Sequence, residues 1–359
     1  MSLRHTPLHQ RHLDLGAKMA DFGGWDMPIE YAGTVAEHTA VRESVGVFDV
    51  SHMGYTEIQG PGAVEWLNTV LASDLAKIGS GQAQYSLLCD DNGGVIDDLI
   101  VYRVTDDAVF IVPNASNSDA VVATLQRAAQ SAGIHVDDRR EGFGILAVQG
   151  PDADSVMAQV GLPGGHDYMS FVRAEWRGTP VVVARTGYTG ERGYEVIVPA
   201  DRVVDLWDAV VGAGATPAGL GARDTLRTEM GYPLHGHELS ADITPVQARA
   251  GWAIGWDKPA FHGREALIAE KQAGPRRVLR GLVAQERAIP RAGMQVLTAD
   301  GTVVGELTSG TFSPTLKQGI GLALLDPVIA EGDEVVVDVR GRQMRFLVTR
   351  PPFVEPHVR

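Results

Sequence analysis

One short stretch, Gly93 to Tyr102, constrains the fold more than any other part of this sequence. Two glycines are followed by a short run rich in Val and Ile that contains the neighbouring carboxylates Asp97 and Asp98. Such a run after a glycine turn predicts a β-strand, in which alternate side chains leave on opposite faces. The alternation predicts that one face carries Ile96, Asp98, Ile100 and Tyr102 and the other Val95, Asp97, Leu99 and Val101.

Both predicted faces are otherwise mostly apolar, so burial of the two aspartates is costly unless each is hydrogen-bonded or paired. Two interpretations follow. Only one of the two side chains can point at any given pocket, and a costly buried carboxylate is often functional. Alternatively, both aspartates cap a turn before the strand begins. The stretch alone favours neither interpretation.

Charge and composition exclude several classes of function. The chain of 359 residues has a net charge of −14, which argues against nucleic acid or an anionic membrane surface as the main partner. The single cysteine, Cys89, excludes an intrachain disulfide and a zinc site built from cysteines. No apolar run approaches the roughly 18 residues of a membrane helix, and the first ten residues contain no apolar signal-peptide core. These features predict a cytoplasmic protein.

Helix and strand patterns alternate before residue 275 without the regular rhythm of a parallel sheet, which predicts an α+β fold. A hairpin is predicted where Asp106-Asp107 separates the Gly93–Tyr102 strand from the next apolar run. After Gly274-Pro275, six short strand patterns separated by turns predict a small β-barrel or sandwich. We therefore expect α+β modules over residues 1–140 and 141–274, and a β domain over residues 275–359.

Two further segments carry groups suited to a binding site. Residues 186–195 combine glycines, which allow close backbone approach, with Tyr188 and the carboxylate of Glu195. A later helix start supplies the guanidinium of Arg223. Together these groups could bind a planar heterocycle that bears N–H donors and a carbonyl. The alternative, which the residues alone favour, is an ion pair between Arg223 and Asp224 at the helix start.

Motifs for other chemistries are absent or weak. The glycines Gly212, Gly214 and Gly219 lack the dinucleotide-binding spacing and follow a helix pattern, so we reject a Rossmann site. The sequence contains no Walker A or His-Glu-x-x-His motif. The run His235-Gly236-His237-Glu238 could suggest a metal, but neighbouring loop histidines are more often solvated. No metal site is expected.

A series of sequence blocks occurs in order along the chain. The blocks are Thr6-Pro7-Leu8, Gly24 to Pro28, Phe48 to Met53, Gly93 to Leu99, Arg185 to Glu191, Gly219 to Asp224 and Thr308 to Leu316. Through these blocks the chain resembles, over nearly its whole length, the T-protein family of the glycine cleavage system. That family consists of tetrahydrofolate-dependent aminomethyltransferases.

The resemblance implies a three-domain cloverleaf, in which two ferredoxin-like α+β modules form a folate pocket beside a C-terminal β-barrel. It implies a transferase of glycine catabolism that takes an aminomethyl group from the lipoyl arm of the H protein and releases ammonia. The carbon would leave on the acceptor substrate tetrahydrofolate as 5,10-methylenetetrahydrofolate. The implied partner is the lipoylated H protein, and neither a metal nor a flavin is implied.

The resemblance also implies which residues of this chain contact folate, and it implies that Asp98 is the catalytic residue. The positions are Met53, Tyr85, Asp98, Val112, Asn114, Tyr188, Glu195, Arg223, Trp252 and Arg291. Two residues depart from the family pattern. Phe110 stands where some relatives have Tyr, which removes a hydrogen bond, and His235 replaces the Tyr of a Leu-Tyr-Gly block at the expected pocket rim.

Two other functions are alternatives within the same fold. One is a folate-binding demethylase module, as fused to flavin amine dehydrogenases; with no dinucleotide fingerprint here, its flavin would arrive on a separate chain. The other is a folate-dependent iron–sulfur maintenance protein. The Lys-Gly-Cys-x-x-Gly-Gln-Glu signature that is typical of those maintenance proteins is absent from this sequence.

Overall fold

The computed structural model describes residues 2–359, which form two mainly antiparallel sheets, a closed barrel and a small hairpin. The first strands are β1 (Lys18–Phe22), β2 (Trp25–Glu30), β3 (Gly46–Asp49), β4 (Thr56–Gln59), β5 (Gln82–Cys89), β6 (Val95–Thr105), β7 (Ala108–Val112) and β8 (His135–Asp138). They are followed by β9 (Phe143–Gln149), β10 (Phe171–Trp176), β11 (Thr179–Ala184), β12 (Gly193–Pro199) and β13 (Thr216–Pro217). The last strands are β14 (Val278–Ala284), β15 (Gln295–Leu297), β16 (Val303–Ser313), β17 (Gln318–Leu325), β18 (Glu334–Asp338) and β19 (Gln343–Thr349).

The α-helices pack on the faces and edges of these sheets. They are α1 (His9–Asp14), α2 (Thr34–Glu43), α3 (Ala63–Asn68), α4 (Ser118–Ala129), α5 (Ala153–Gln159), α6 (Val203–Gly212), α7 (Leu220–Met230) and α8 (Arg264–Ala273). No helix within residues 2–359 has the length and apolar character needed to cross a lipid bilayer.

The first sheet has the strand order β5-β6-β7-β4-β8. Its central strand β6 contains the Asp97-Asp98 pair, and β6 and β7 form the antiparallel hairpin that the sequence predicts. Helices α3 and α4 cover one face, where Leu99 and Val101 of β6 are buried among their apolar residues. Asp97 points to that side of the strand and is completely buried.

The second sheet has the strand order β10-β11-β12-β9-β3-β13. One of its faces is covered by α5 and α6, whose apolar residues pack with Val148, Tyr194 and Val196. Strand β3 comes from the first part of the chain but pairs with β9. The division at residues 140 and 274 stays a prediction, and this pairing means that the two α+β modules share a sheet.

The two sheets face each other across a shared apolar layer. Ile100 and Tyr102 of β6 pack in this layer with Ala147 of β9 and Ile197 of β12. Side chains two residues apart on a strand point to the same face. Asp98, two residues before Ile100, and Glu195, two residues before Ile197, therefore point toward the same layer.

The predicted faces of two β6 residues are wrong. Val95 packs with Leu87 and Cys89 rather than in the cluster of Leu99 and Val101. Ile96 packs against the helix-covered cluster rather than sharing a face with Asp98. The cause is an irregularity in the β5–β6 pairing: Leu88 pairs with Asp97 but Cys89 pairs with Val95, so Ile96 is an extra, unpaired residue. Such a bulge breaks the two-residue alternation locally, and the alternation resumes at Asp97.

Strands β14 to β19 close into a barrel with the order β14-β17-β16-β15-β18-β19. Each of the six strand patterns expected after residue 275 corresponds to one of these strands. A cluster of buried aliphatic residues and Phe346 fills the barrel interior. The predicted α+β class with a C-terminal β-barrel is therefore confirmed.

Candidate active site

Asp98 lies at the end of the layer between the two sheets, and three groups determine its environment. Tyr85 on the neighbouring strand donates its hydroxyl to Asp98 Oδ2 at 3.1 Å, and Asn114 Nδ2 lies 3.0 Å from Asp98 Oδ1. Burial raises the pKa of Asp98, whereas the Tyr85 hydroxyl, the charge of His235 and the Asn114 amide oppose that rise. The side chain is only partly buried, so it can meet a ligand.

Asp97 has a different role in the structure. Its Oδ2 accepts the Asn114 backbone N–H at 2.9 Å, and its Oδ1 accepts Asn114 Nδ2 at 2.9 Å and Asn117 Nδ2 at 2.7 Å. Asp97 therefore ties the β7–α4 connection to β6. The interpretation that both aspartates cap a turn is wrong, because Asp90 fills that role by accepting the backbone N–H groups of Asn92 and Gly94.

Glu195 of β12 is the carboxylate contributed by the second sheet. Thr186 donates its hydroxyl to Glu195 Oε2 at 2.6 Å, and the Tyr102 hydroxyl lies 3.2 Å from Thr186 Oγ1. This chain of hydroxyl groups crosses from the first sheet to the second. Among residues 2–359 no donor binds the other oxygen, Glu195 Oε1, which leaves it free to accept hydrogen bonds from a ligand.

Arg223 lies in the first turn of α7, and its guanidinium carbon is 4.8 Å from the centre of the Tyr188 ring. The Arg223 Nη1 atom is buried and has no hydrogen-bond partner. Burial lowers the pKa of Arg223, and the nearby negative charge of Glu195 opposes this effect. The expected ion pair between Arg223 and Asp224 is wrong, because Asp224 accepts from Arg227 instead.

Other predicted positions line the same region. Met53 and Val112 border the layer between the sheets, where Val112 pairs with Ile100 of β6. Trp252 is 76% exposed, and its ring stacks on Tyr85 with ring centres 5.4 Å apart. The structure thus brings together Met53, Tyr85, Asp98, Val112, Asn114, Tyr188, Glu195, Arg223 and Trp252.

Arg291 makes its hydrogen bonds outside this group. It is exposed on the barrel and donates to the Gly310 carbonyl at 3.0 Å. Within residues 2–359 none of its hydrogen bonds or ion pairs reaches the other positions. Phe110, one of the two departures, is buried and stacks on Tyr102 with ring centres 4.4 Å apart. It packs beneath the site as part of the core.

The residues of the His235–Glu238 run point to separate partners. His235 Nε2 donates to the Val95 carbonyl, His237 Nδ1 to the Thr308 carbonyl, and Glu238 pairs with Arg227. A different group, His5, His9 and Asp26, places possible ligand atoms within 4.8 Å of one another. Its two imidazole rings are parallel, with centres 3.7 Å apart, so their in-plane lone pairs do not converge on one point.

Sequence reasoning missed three supporting residues. Asn117 holds Asp97, while Thr186 and Tyr102 hold Glu195. The sequence did contain a signal for Asn117, because Asn114 and Asn117 follow β7, the strand that pairs with β6 and its two aspartates. The contact between Tyr102 and Thr186 had none, because it joins residues 84 positions apart through the packing of two sheets.

With the fold and the site described, known proteins provide a direct comparison. Residues 8–258 match the GCVT N-terminal domain, and residues 277–355 match the glycine cleavage T-protein C-terminal barrel domain. An aminomethyltransferase of Frankia alni is 62% identical, with 98% of each chain covered. One of Mycobacterium tuberculosis strain H37Rv is 56% identical, with 98% of this chain and 97% of the relative covered.

A solved structure shows the same architecture. The crystal structure of glycine cleavage system aminomethyltransferase T from Bartonella henselae matches with a TM-score of 0.95 and 35% sequence identity. The match covers 99% of each chain. The matched domains, the relatives and this structure together show that the chain belongs to the glycine cleavage T-protein family.

Proposed function

We propose that this protein is the aminomethyltransferase of the glycine cleavage system. It takes the aminomethyl group from the lipoyl arm of the H protein, releases ammonia and passes the carbon to tetrahydrofolate as 5,10-methylenetetrahydrofolate. The family and the names of its relatives support this function. The observation that carries it is the position of Asp98, a partly exposed carboxylate that faces the same layer as Glu195.

The free polar atoms of the site fit the pterin ring of a folate. A pterin offers neighbouring N–H donors and a carbonyl oxygen on one edge. Glu195 Oε1 can accept the N–H groups, and the unpartnered Arg223 Nη1 can donate to the carbonyl. We propose Met53, Tyr85, Asp98, Val112, Asn114, Tyr188, Glu195, Arg223 and Trp252 as folate-contacting residues. We also propose Arg291, whose guanidinium must exchange its hydrogen bond to the Gly310 carbonyl for one to the folate.

Asp98 is the proposed catalytic residue. Loss of ammonia makes the transferring carbon cationic, and a fixed carboxylate stabilises that charge in a site with little water. Asp98 can also orient the attacking folate amine or accept its proton. The donors Tyr85 and Asn114 hold the carboxylate in place before the substrates arrive, so little reorganisation is needed during the reaction.

The transfer reaction can be tested with the purified protein and its two substrates. We expect tetrahydrofolate to be consumed only when aminomethylated H protein is supplied, with ammonia released in equal amount. Unmodified lipoylated H protein, and dimethylglycine or sarcosine without H protein, are the controls. Consumption of tetrahydrofolate with either amine, when a separate flavin amine dehydrogenase is present to oxidise that amine, would instead support a demethylase module. No consumption with any donor would contradict the proposal.

Replacement of Glu195 by Gln is expected to weaken folate binding by about 1–3 kcal/mol. The amide keeps the shape of the side chain but puts a donor where the pterin N–H groups need an acceptor. Isothermal titration calorimetry with tetrahydrofolate measures the effect. Glu175→Gln, on an exposed position of β10, is the matched control and should not change the affinity. Unchanged affinity of the Glu195 variant would remove this residue from the pterin site.

A basic cluster at the start of the barrel offers a prediction about the H protein. Arg276 and Arg277 donate to the Asp242 carbonyl at 3.2 and 3.1 Å, and Arg277 Nε also binds the side chain of Gln247. None of these partners is a carboxylate, so the positive charge is not neutralised by direct ion pairing. We propose that the cluster attracts an acidic surface of the H protein.

The double variant Arg276→Gln/Arg277→Gln is expected to raise the KM for H protein at low salt without changing kcat or folate affinity. Electrostatic attraction acts mainly on association and is screened over ~8 Å at physiological ionic strength. The difference should therefore shrink as salt is added. Arg340→Gln/Arg342→Gln, on the β18–β19 turn, removes the same charge elsewhere and serves as the control. An equal KM for the cluster variant and the wild type at low salt would contradict this role.

A further inference from the structure

Trp252 is an exposed aromatic residue at the candidate site, and one short turn carries it. Its ring stacks on Tyr85 with an angle of 24° between the two ring planes. Solvent surrounds most of the Trp252 side chain, so the stack depends on where the backbone of the turn lies. We call residues 251–258 the tryptophan turn.

Two hydrogen bonds within the tryptophan turn fix its shape. The Trp256 indole N–H donates to the Gly251 carbonyl at 2.9 Å, and the Lys258 backbone N–H donates to the Gly255 carbonyl at 3.0 Å. These bonds hold the turn together but do not attach it to the first sheet. Its position therefore depends on contacts with other parts of the chain.

The side chain of Lys258 provides such an attachment. Its ammonium group donates to the Leu71 carbonyl at 2.6 Å and to the Ser73 carbonyl at 2.7 Å. The carbonyl between these two, that of Ala72, accepts the Gly255 backbone N–H at 2.8 Å. Three successive carbonyls in the connection between α3 and β5 thus bind the tryptophan turn, and the ammonium group binds two of them.

The same connection is bound to β5 beside Tyr85. The Ala72 N–H donates to the Leu87 carbonyl at 2.9 Å, and Ser73 donates its hydroxyl to Ser86 Oγ at 2.7 Å. Both serines are completely buried. Tyr85 directly precedes Ser86, so both rings of the aromatic stack are attached to one connection.

A lysine is a costly residue in this place. Lys258 is 6% exposed, and its ammonium group donates to neutral carbonyls. Burial lowers the pKa of Lys258 to about 8, and the negative charge of Asp74 opposes that effect. An apolar side chain of similar length would fill the space without the desolvation of a charge. What the ammonium group adds is a pair of directed hydrogen bonds that place the turn.

We infer that Lys258 is a positioning residue for the proposed folate site: it fixes the tryptophan turn so that Trp252 stacks on Tyr85. The inference rests on the proposed function for its effect on folate and on the contacts alone for the stack. Two rings held together form a ready apolar wall, so a bound folate need not order the Trp252 side chain. The Tyr85–Asp98 hydrogen bond lies between the paired strands β5 and β6, so it should persist without Lys258.

Two variants weaken the attachment in different ways. Lys258→Met keeps an unbranched side chain but removes the N–H donors. Gly255→Ala keeps the lysine, but the new Cβ would lie 2.5 Å from Lys258 Cδ and displace the side chain. Lys271→Met is the matched control, because Lys271 is an exposed lysine of α8 whose Nζ lies 4.1 Å from the centre of the Trp256 ring.

Fluorine-19 NMR of protein labelled with 5-fluorotryptophan reports on the stack without any ligand. Trp252→Phe assigns the Trp252 signal, and Tyr85→Leu gives the position of that signal without the stacked ring. We expect the signal to move toward its Tyr85→Leu position in both Lys258→Met and Gly255→Ala. In Lys271→Met it should stay at the wild-type position.

Calorimetry measures tetrahydrofolate binding by the same variants, and single-turnover kinetics measures the transfer step. We expect Lys258→Met to bind tetrahydrofolate about three- to tenfold more weakly, the range for the loss of an ordered aromatic pair. Transfer at saturating tetrahydrofolate should stay within about twofold of wild type, because the residue acts on binding rather than on the reacting atoms. Gly255→Ala should show the same division between binding and rate, and Lys271→Met should match wild type in both.

An unchanged Trp252 signal in folded Lys258→Met would overturn the inference, as would an equal displacement in Lys271→Met. Wild-type affinity for tetrahydrofolate in a Lys258→Met protein whose signal has moved would also overturn it and would leave the proposed function intact. If Lys258→Met does not fold, Gly255→Ala decides by the same two criteria. If the wild-type protein bound no tetrahydrofolate, the proposed function would fail, and the NMR signal would still measure the role of Lys258 at the stack.

Discussion

Asp98→Asn is expected to slow turnover by roughly two to four orders of magnitude while changing folate affinity only a few-fold. The amide keeps the size of the side chain, so the pocket retains its shape. It removes the negative charge that we propose stabilises the cationic transferring carbon, an interaction that exists mainly in the transition state. Single-turnover formation of 5,10-methylenetetrahydrofolate from aminomethylated H protein measures the rate, and calorimetry measures the affinity.

The neighbouring residue provides the control. Asp97→Asn should chiefly lower stability, because the Asp97 carboxylate accepts three hydrogen bonds from Asn114 and Asn117 behind the strand. Its folded fraction should retain much of the wild-type rate. An inactive but folded Asp97 variant together with an active Asp98 variant would show that the assignment of the two faces is reversed.

Arg227→Met is expected to destabilise the protein by about 3–5 kcal/mol. Arg227 is 2% exposed and pairs with the completely buried Glu238 at 2.9 Å. It also donates to Ser309 of the barrel at 2.7 Å, so it joins α7 to the C-terminal domain. Its loss leaves a buried carboxylate without its charged partner, which costs more than the pair itself contributes.

Chemical denaturation followed by circular dichroism and tryptophan fluorescence measures this loss. Arg345→Met is the control, because the Arg345–Glu286 pair is exposed, and such pairs contribute about 0–1 kcal/mol. A change below about 1 kcal/mol for Arg227→Met would mean that Thr308, Ser309 and the Leu234 backbone N–H satisfy Glu238 without Arg227.

Local pattern was sufficient to predict much of the Asp98 strand. The two-residue period placed Asp97 and Asp98 on opposite faces, and the glycine turn placed the start of the strand. The period did not reveal the bulge at Ile96, because an extra residue depends on how β5 pairs with β6. The barrel strands were predictable for the same reason as β6, since each is short, apolar and bounded by turns.

Contacts between distant residues were beyond the sequence. Asp224 pairs with Arg227 and not with Arg223. This follows from the i,i+3 spacing of Asp224 and Arg227 on α7 and from the packing of that helix on the barrel. The hydrogen bond between His235 and Val95 joins residues 140 positions apart. The family resemblance identified His235 only as a departure from the family pattern, and the structure shows that it binds the Val95 carbonyl, three residues before Asp98.

The central claim is that a folate binds between Asp98 on the first sheet and Glu195 and Arg223 on the second. A crystal structure of the protein with tetrahydrofolate tests it most directly. We predict that the pterin N–H edge lies against Glu195 Oε1, that its carbonyl accepts from Arg223 Nη1, and that the reactive folate amines lie within hydrogen-bond reach of Asp98. A folate bound elsewhere, or bound here with its reactive amines turned away from Asp98, would contradict the account.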